Sequence, residues 1–447
     1  MRIAKYLVSL TFQSTLNPRL ILLSFAFCLL PFALNVTAHE PITTKVRFNK
    51  EVIRIFERSC LSCHRPNGIA PMSLATYEEA RPWAKAIKEE MLEKRMPVWH
   101  AVKGFGEFRN APNLTQREMD LIINWVEGGA PKGDDKDYPK RDVYSDNWQL
   151  GKPDLILKLS KEQKIASDAD IVQTFILPTN LKTDRWVRAI DLRPDNGAVV
   201  LSAAIYLEGS QESGVRSQES GSGKRSNQNS SLIAHRSSPD SDAGHRTRDA
   251  RPALATWMPG QKIIALPEDM ARLIPANAKL ILKIRYRGNG EDAKDKSQVG
   301  MYFAKTPPRK QLRDIAITNA DALIPANAEA HQVKISLALE EAVEALALRP
   351  FDNPFMISFQ ASAFRPDGTE QILIWSRGHK YDWQQTYYFK EPLLFPKGTR
   401  IEVTAYFDNS ENNPANPNDP PKTLRWSEIS GEPLCVLSVA SNRNANE

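Results

Sequence analysis

The chain has 447 residues, more than one hydrophobic core accommodates, so roughly two to four domains are expected. Its 41% hydrophobic and 25% charged content is ordinary for a soluble globular protein. The net charge of +6 is unevenly placed, with +3 in residues 1–38 and +2 in residues 209–252, leaving +1 for the rest; a near-neutral body gives no electrostatic case for nucleic acid or an anionic membrane as partner.

Residues 1–38 read as an export signal. Arg2, Lys5 and Arg19 precede an apolar run from Leu20 to Val36, and Val36-Thr37-Ala38 offers small residues for cleavage. The run is near the lower length for a membrane span, so an uncleaved anchor is the alternative, and membrane association is expected only in that case. Cys28 follows Phe27 rather than a small residue, which argues against a lipoprotein signal.

Three helical stretches follow. In 46–58, Val52, Ile55, Phe56 and Ser59 share a face. Residues 77–95 are rich in Glu, Ala and Lys. In 115–127, Thr115 and Glu118 form a capping box, Met119, Ile122, Ile123 and Val126 form the apolar stripe, and Gly128-Gly129-Ala130-Pro131 ends the helix.

Between the first two lies Cys60-Leu61-Ser62-Cys63-His64. Two thiols at this spacing, followed at once by an imidazole, suit covalent attachment of one c-type haem, with His64 as proximal iron ligand. A structural zinc site would need a second Cys/His pair, and a dithiol redox motif a βαβ context; the sequence offers neither. For the distal side a thioether raises the potential and suits electron transfer. Met96, before Pro97 in an inter-helical loop, is the preferred ligand; Met72 and His100 are alternatives, while Met91 and Met119 read as core. Cys435 is left alone as a small buried hydrophobe.

Beyond about residue 150, short apolar runs alternate with turn signals from Leu155–Leu159 to Leu434–Val439. This texture, with 31 prolines against 21 glycines, predicts antiparallel sheet. Residues 338–347 are an exception, where Glu and Ala favour helix locally. Residues 209–252 repeat Ser-Gln-Glu-Ser-Gly and hold almost nothing apolar, so a disordered insertion is expected there.

The stretch 60–131 resembles the cytochrome c domain fused to bacterial relatives of copper type II, ascorbate-dependent monooxygenases. The segments that carry it are Cys-His-Arg-Pro-Asn-Gly-Ile-Ala-Pro-Met-Ser at 63–73, Ala-Arg-Pro-Trp-Ala-Lys at 80–85, Met-Pro-Val-Trp-His-Ala at 96–101 and Trp-Val-Glu-Gly-Gly-Ala-Pro-Lys-Gly-Asp at 125–134. Thr183-Asp184-Arg185-Trp186-Val187 and Leu273-Ile274-Pro275-Ala276 are similar to the first copper-domain half. Tyr381-Asp382-Trp383-Gln384 and Phe395-Pro396-Lys397-Gly398-Thr399 are similar to the second. The resemblance implies a small all-α cytochrome c domain (39–148) followed by two all-β, jelly-roll-like antiparallel sandwiches (149–312 and 313–447). It also supports Met96 as distal ligand.

Four positions depart from the family pattern. Leu201-Ser202 stands where the family has a His pair and Arg285-Tyr286 where it has His-Tyr. Phe351-Asp352-Asn353 stands for His-x-His, and Leu434 for a Met ligand. Type II copper needs imidazoles. After His100 only His235, His245, His331 and His379 remain, none at ligand spacing. Copper is therefore not expected. The preferred reading is an exported, periplasmic electron carrier with an unidentified redox partner and no catalytic residues. An active copper monooxygenase relaying electrons through the haem is the alternative, and a haem sensor is a third.

Overall fold

A computed structural model describes residues 44–112, 114–140, 148–208, 252–351, 353–378, 385–429 and 432–442. The 1–38 signal, residues 209–251 of the insertion, Asp352 and His379 lie outside the described residues. A small helical N-terminal region is followed by extensive antiparallel sheet.

The helical region closes on aromatic side chains. Its first helix opens as a π turn, Phe48–Val52, and continues as Ile53–Ser59. Phe48, Val52, Ile53 and Phe56 are fully buried, each large side chain worth about 1.5–3 kcal/mol of apolar burial. The 77–95 stretch is divided into Tyr77–Ala80, a 3-10 turn Arg81–Trp83, and Ala84–Leu92. Pro82 is the cause, since it lacks an N–H and crowds the preceding turn. The Gln116–Glu127 helix carries the expected capping box: the Thr115 hydroxyl accepts from Glu118 N–H, and Thr115 N–H donates to the Glu118 carboxylate. Trp125, outside the predicted stripe, is fully buried between Phe48 and Phe56.

Two β units follow, and they share one eight-stranded sheet. Its order is Leu155–Lys158, Gln298–Phe303, Arg185–Arg193, Met270–Ile274, Lys310–Ile317, Cys435–Asn442, Val343–Pro350, Tyr387–Phe395. The halves meet at a parallel join, Lys310 beside Met270 and Gln311 beside Ala271. In the first unit this sheet shares a core with the four-stranded sheet Asp170–Pro178, Lys279–Arg287, Val200–Leu207, Ala255–Trp257. In the second unit the opposing sheet is His331–Ala338, Arg400–Phe407, Met356–Phe364, Glu370–Arg377. Cys435 is fully buried in the second core, as expected.

The local helix preference of 338–347 is overridden. Residues 343–350 form a strand paired on both sides. Val343, Ala345, Leu346, Ala347 and Leu348 are all buried there, so packing on both faces outweighs propensity.

Segment 99–110 leaves the helical region and lies along the second unit. Ala101 bridges to Ser376 on one sheet, and Phe108 bridges to Phe389 on the other. The strands it meets, Glu370–Arg377 and Tyr387–Phe395, are both sheet edges. An uncovered edge exposes unpaired backbone groups, and this segment covers two of them.

Candidate functional site

Cys60, Cys63 and His64 share one turn. Cys60 caps the Ile53–Ser59 helix, its N–H donating to Phe56 carbonyl at 2.8 Å. Its own carbonyl accepts from Cys63 N–H at 3.1 Å and His64 N–H at 3.0 Å. Leu61 between them is fully buried and anchors the turn, while both thiols are half-buried and free. Burial pushes the Cys60 thiol up to about 12 and raises Cys63 as well. Burial holds the His64 imidazole below its ordinary value, so all three groups are neutral near pH 7.

The His64 ring is oriented by the loop that follows. Its Nδ1 lies 3.3 Å from the Met72 carbonyl. A carbonyl only accepts, so Nδ1 carries the proton and Nε2 keeps its lone pair. A second bond, Leu74 N–H to His64 carbonyl at 3.0 Å, fixes the same loop. Backbone support of one ring nitrogen leaves the other as the ring's donor atom. The residues present therefore fit a covalently held haem: two free thiols on one turn and an imidazole with one nitrogen committed and the other available.

The distal candidates are placed differently from one another. Met72 presents its carbonyl to the Nδ1 edge of His64, the side away from Nε2. Met91 is buried in the helical core and Met119 packs against it. His100 is buried, and its carbonyl accepts from Arg377 N–H of the second unit at 3.3 Å. Met96 is 38% exposed, a thioether with no share in the core. It follows the Ala84–Leu92 helix, where its N–H donates to Glu90 carbonyl at 3.1 Å.

The first β unit covers the motif, a contact the sequence does not announce. The Cys63 thiol faces the Pro259 carbonyl at 3.5 Å. Gly260 has a φ of +78°, and a Cβ there would stand 2.8 Å from both Cys63 Sγ and Ser62 Oγ. Only glycine allows this approach.

The positions where the resemblance implies copper ligands come together in the fold. Ser202 lies directly across the ladder from Arg285, and Leu201 sits at the adjacent bulge. Arg285 forms a fork to Asp170, with Nε–Oδ1 and Nη2–Oδ2 both 2.9 Å. That guanidinium holds the Asp170 carboxyl below the usual range. In the second unit, Phe351 N–H donates to Leu434 carbonyl at 3.0 Å. Phe351 packs edge-on to Trp426 with centroids 6.3 Å apart, and Leu434 and Trp426 belong to the buried core. Asn353 is buried, its Oδ1 accepting from Phe355 N–H at 3.0 Å. Neither set is a copper donor set: one is an ion pair beside a hydroxyl, the other largely hydrocarbon. Among the described residues, no three His, Cys, Asp or Glu side chains gather as a metal site.

No family model matches the chain, and no curated protein matches it. A solved structure, that of infectious bursal disease virus Gx strain, is similar at 9% identity over 64% of this chain and 75% of that one, with a TM-score of 0.16. That likeness is too slight to carry fold or function.

Proposed function

We propose that this chain is an exported mono-haem c-type cytochrome that carries electrons. It is a cytochrome c domain fused to two jelly-roll-like β-sandwiches of the copper monooxygenase kind, which no longer hold copper. The observation that carries this reading is the Cys60–His64 turn with its Nδ1 bond to Met72. When bound, the haem supplies a one-electron couple. The chain's part is to fix it and to set its surroundings. Cys60 and Cys63 would attach it and His64 would offer Nε2 to the iron, while the Met72 carbonyl keeps that ring in one tautomer. Met96 would be the distal ligand, because its thioether is exposed while Met72, Met91 and Met119 pack in or against the helical core.

The monooxygenase alternative loses support from two places. The Arg285 cation is already matched to Asp170, and Phe351, Trp426 and Leu434 fill the second site with side chains that do not ligate copper. A redox partner protein is therefore the destination of the electron.

Metal analysis of the purified, exported holoprotein, with a haem spectrum in alkaline pyridine, tests the reading. One iron per chain, a c-type spectrum and no copper are expected. Stoichiometric copper, or a chain lacking covalent haem after export through a competent maturation system, would overturn it.

A further inference from the structure

The segment that follows Met96 is built into the core of the second β unit. Trp99 packs against Tyr387 with ring centroids 5.0 Å apart, and Phe108 lies 5.3 Å from Tyr387 and 5.8 Å from Phe389. Phe105 stands edge-on to Trp375 at 5.0 Å. Backbone bonds run along the whole segment: Val102 N–H to Trp375 carbonyl at 2.8 Å, Lys390 N–H to Glu107 carbonyl at 2.8 Å, and Arg109 N–H to Tyr388 carbonyl at 3.0 Å. Asn110 closes it with two bonds, Nδ2 to Thr386 carbonyl at 2.7 Å and Oδ1 from Tyr388 N–H at 3.0 Å. Gly106 lies so close to the Glu370–Arg377 strand that a Cβ would stand 2.3 Å from Leu373 carbonyl.

Met96 is thus held between two fixed points. On one side its N–H is tied to the end of the Ala84–Leu92 helix; three residues later Trp99 enters the second β core. On so short a span the backbone at Met96, and so the region its thioether can reach, is set by the span's ends.

We propose that the second β unit positions the distal ligand. Segment 99–110 is a tether, Phe108 and Asn110 are its positioning residues, and they act on the iron only through Met96. This rests on the haem reading above. It gives the β domains a task other than catalysis: the distal ligation, and with it the potential, answers to the contacts that segment 99–110 makes with the second unit.

The test uses the full-length holoprotein and two readouts, the sulfur-to-iron charge-transfer band and the affinity for added imidazole, which competes with Met96. Asn110→Ala and Phe108→Ala are expected to weaken the band and to tighten imidazole binding about tenfold, the equivalent of about 1.4 kcal/mol. Phe108→Tyr should restore both. Leu434→Ala, which loosens the same core without touching the tether, should leave imidazole affinity at the wild-type value. If Phe108→Ala fails to fold, Asn110→Ala, at the rim, carries the test alone. Unchanged band and affinity in the folded variants would sink the tether while leaving the haem reading intact. A wild-type protein with no haem, or with haem lacking the band, would remove the Met96 reading beneath it.

Discussion

Asp191 sits on the Arg185–Arg193 strand with 3% of its surface exposed. Burial pushes its carboxyl up to about 6. One oxygen accepts from Gln149 N–H at a long 3.5 Å, and the other has no partner among the described residues. A carboxyl raised in the folded state favours the fold only while protonated. Its contribution is full below about pH 4 and is lost as pH rises through 6, a difference on the order of 2–3 kcal/mol. Asp191→Asn should therefore flatten the pH dependence of stability and exceed wild type at pH 8. Urea titrations at pH 5 and pH 8 check this; equal pH slopes in both proteins would refute it. At the same scale, positions 201, 202 and 285, where the resemblance implies copper ligands, allow a test of ligand chemistry. The Leu201→His, Ser202→His, Arg285→His triple variant should bind one Cu2+ by calorimetric titration, while Arg285→His alone should not, because one imidazole facing Asp170 does not make a type II set.

How much was legible depended on where the signal lay. The Cys60–His64 turn, the Thr115 cap and most strands were readable, because spacing, capping chemistry and apolar runs are local. The break at Pro82 was written in the sequence but masked by the helical composition around it. Strand 343–350 was hidden, since its fate depends on neighbours more than 35 residues away in the chain, Tyr387–Phe395 and Cys435–Asn442. The 99–110 tether was hidden for the same reason. Trp99, Phe105 and Phe108 have no helical period and read as a loop, though three aromatics in ten residues are a sign of a buried segment. Gly106, with a φ of +85°, now has a reason. Gly106→Ala should cost about 2–4 kcal/mol, combining the strained backbone with displacement of the Leu373 carbonyl. The loss should appear in the melting of the β region, although the residue precedes every strand. An unchanged melting temperature would show that the close approach to Leu373 does not matter.

At the scale of the whole molecule, the two β units are joined by little backbone. The parallel join pairs only Lys310 with Met270 and Gln311 with Ala271. Side chains supply the rest. Arg272 of the first unit meets Asp314 of the second at 2.8 Å, with the two side chains 11% and 5% exposed. Ser438 Oγ donates to the other Asp314 oxygen at 2.7 Å. Leu266, Met270, Leu312, Leu346 and Ala440 pack as an apolar cluster drawn from both units. A buried pair of this kind is weak evidence for net stability but costly to break on one side, about 3–5 kcal/mol. Arg272→Met should therefore leave Asp314 buried without its cation and split calorimetric unfolding into two transitions. Arg272→Met with Asp314→Leu should regain most of that loss, because two apolar side chains beside Leu312 and Leu346 extend the existing cluster. Were the double variant as unstable as the single, the loss would lie in the bond between Ser438 and the Asp314 carboxylate, which ties two strands within the second unit. The Arg272 pair would then contribute little to the coupling of the units, and the parallel join and the apolar cluster would have to carry the connection.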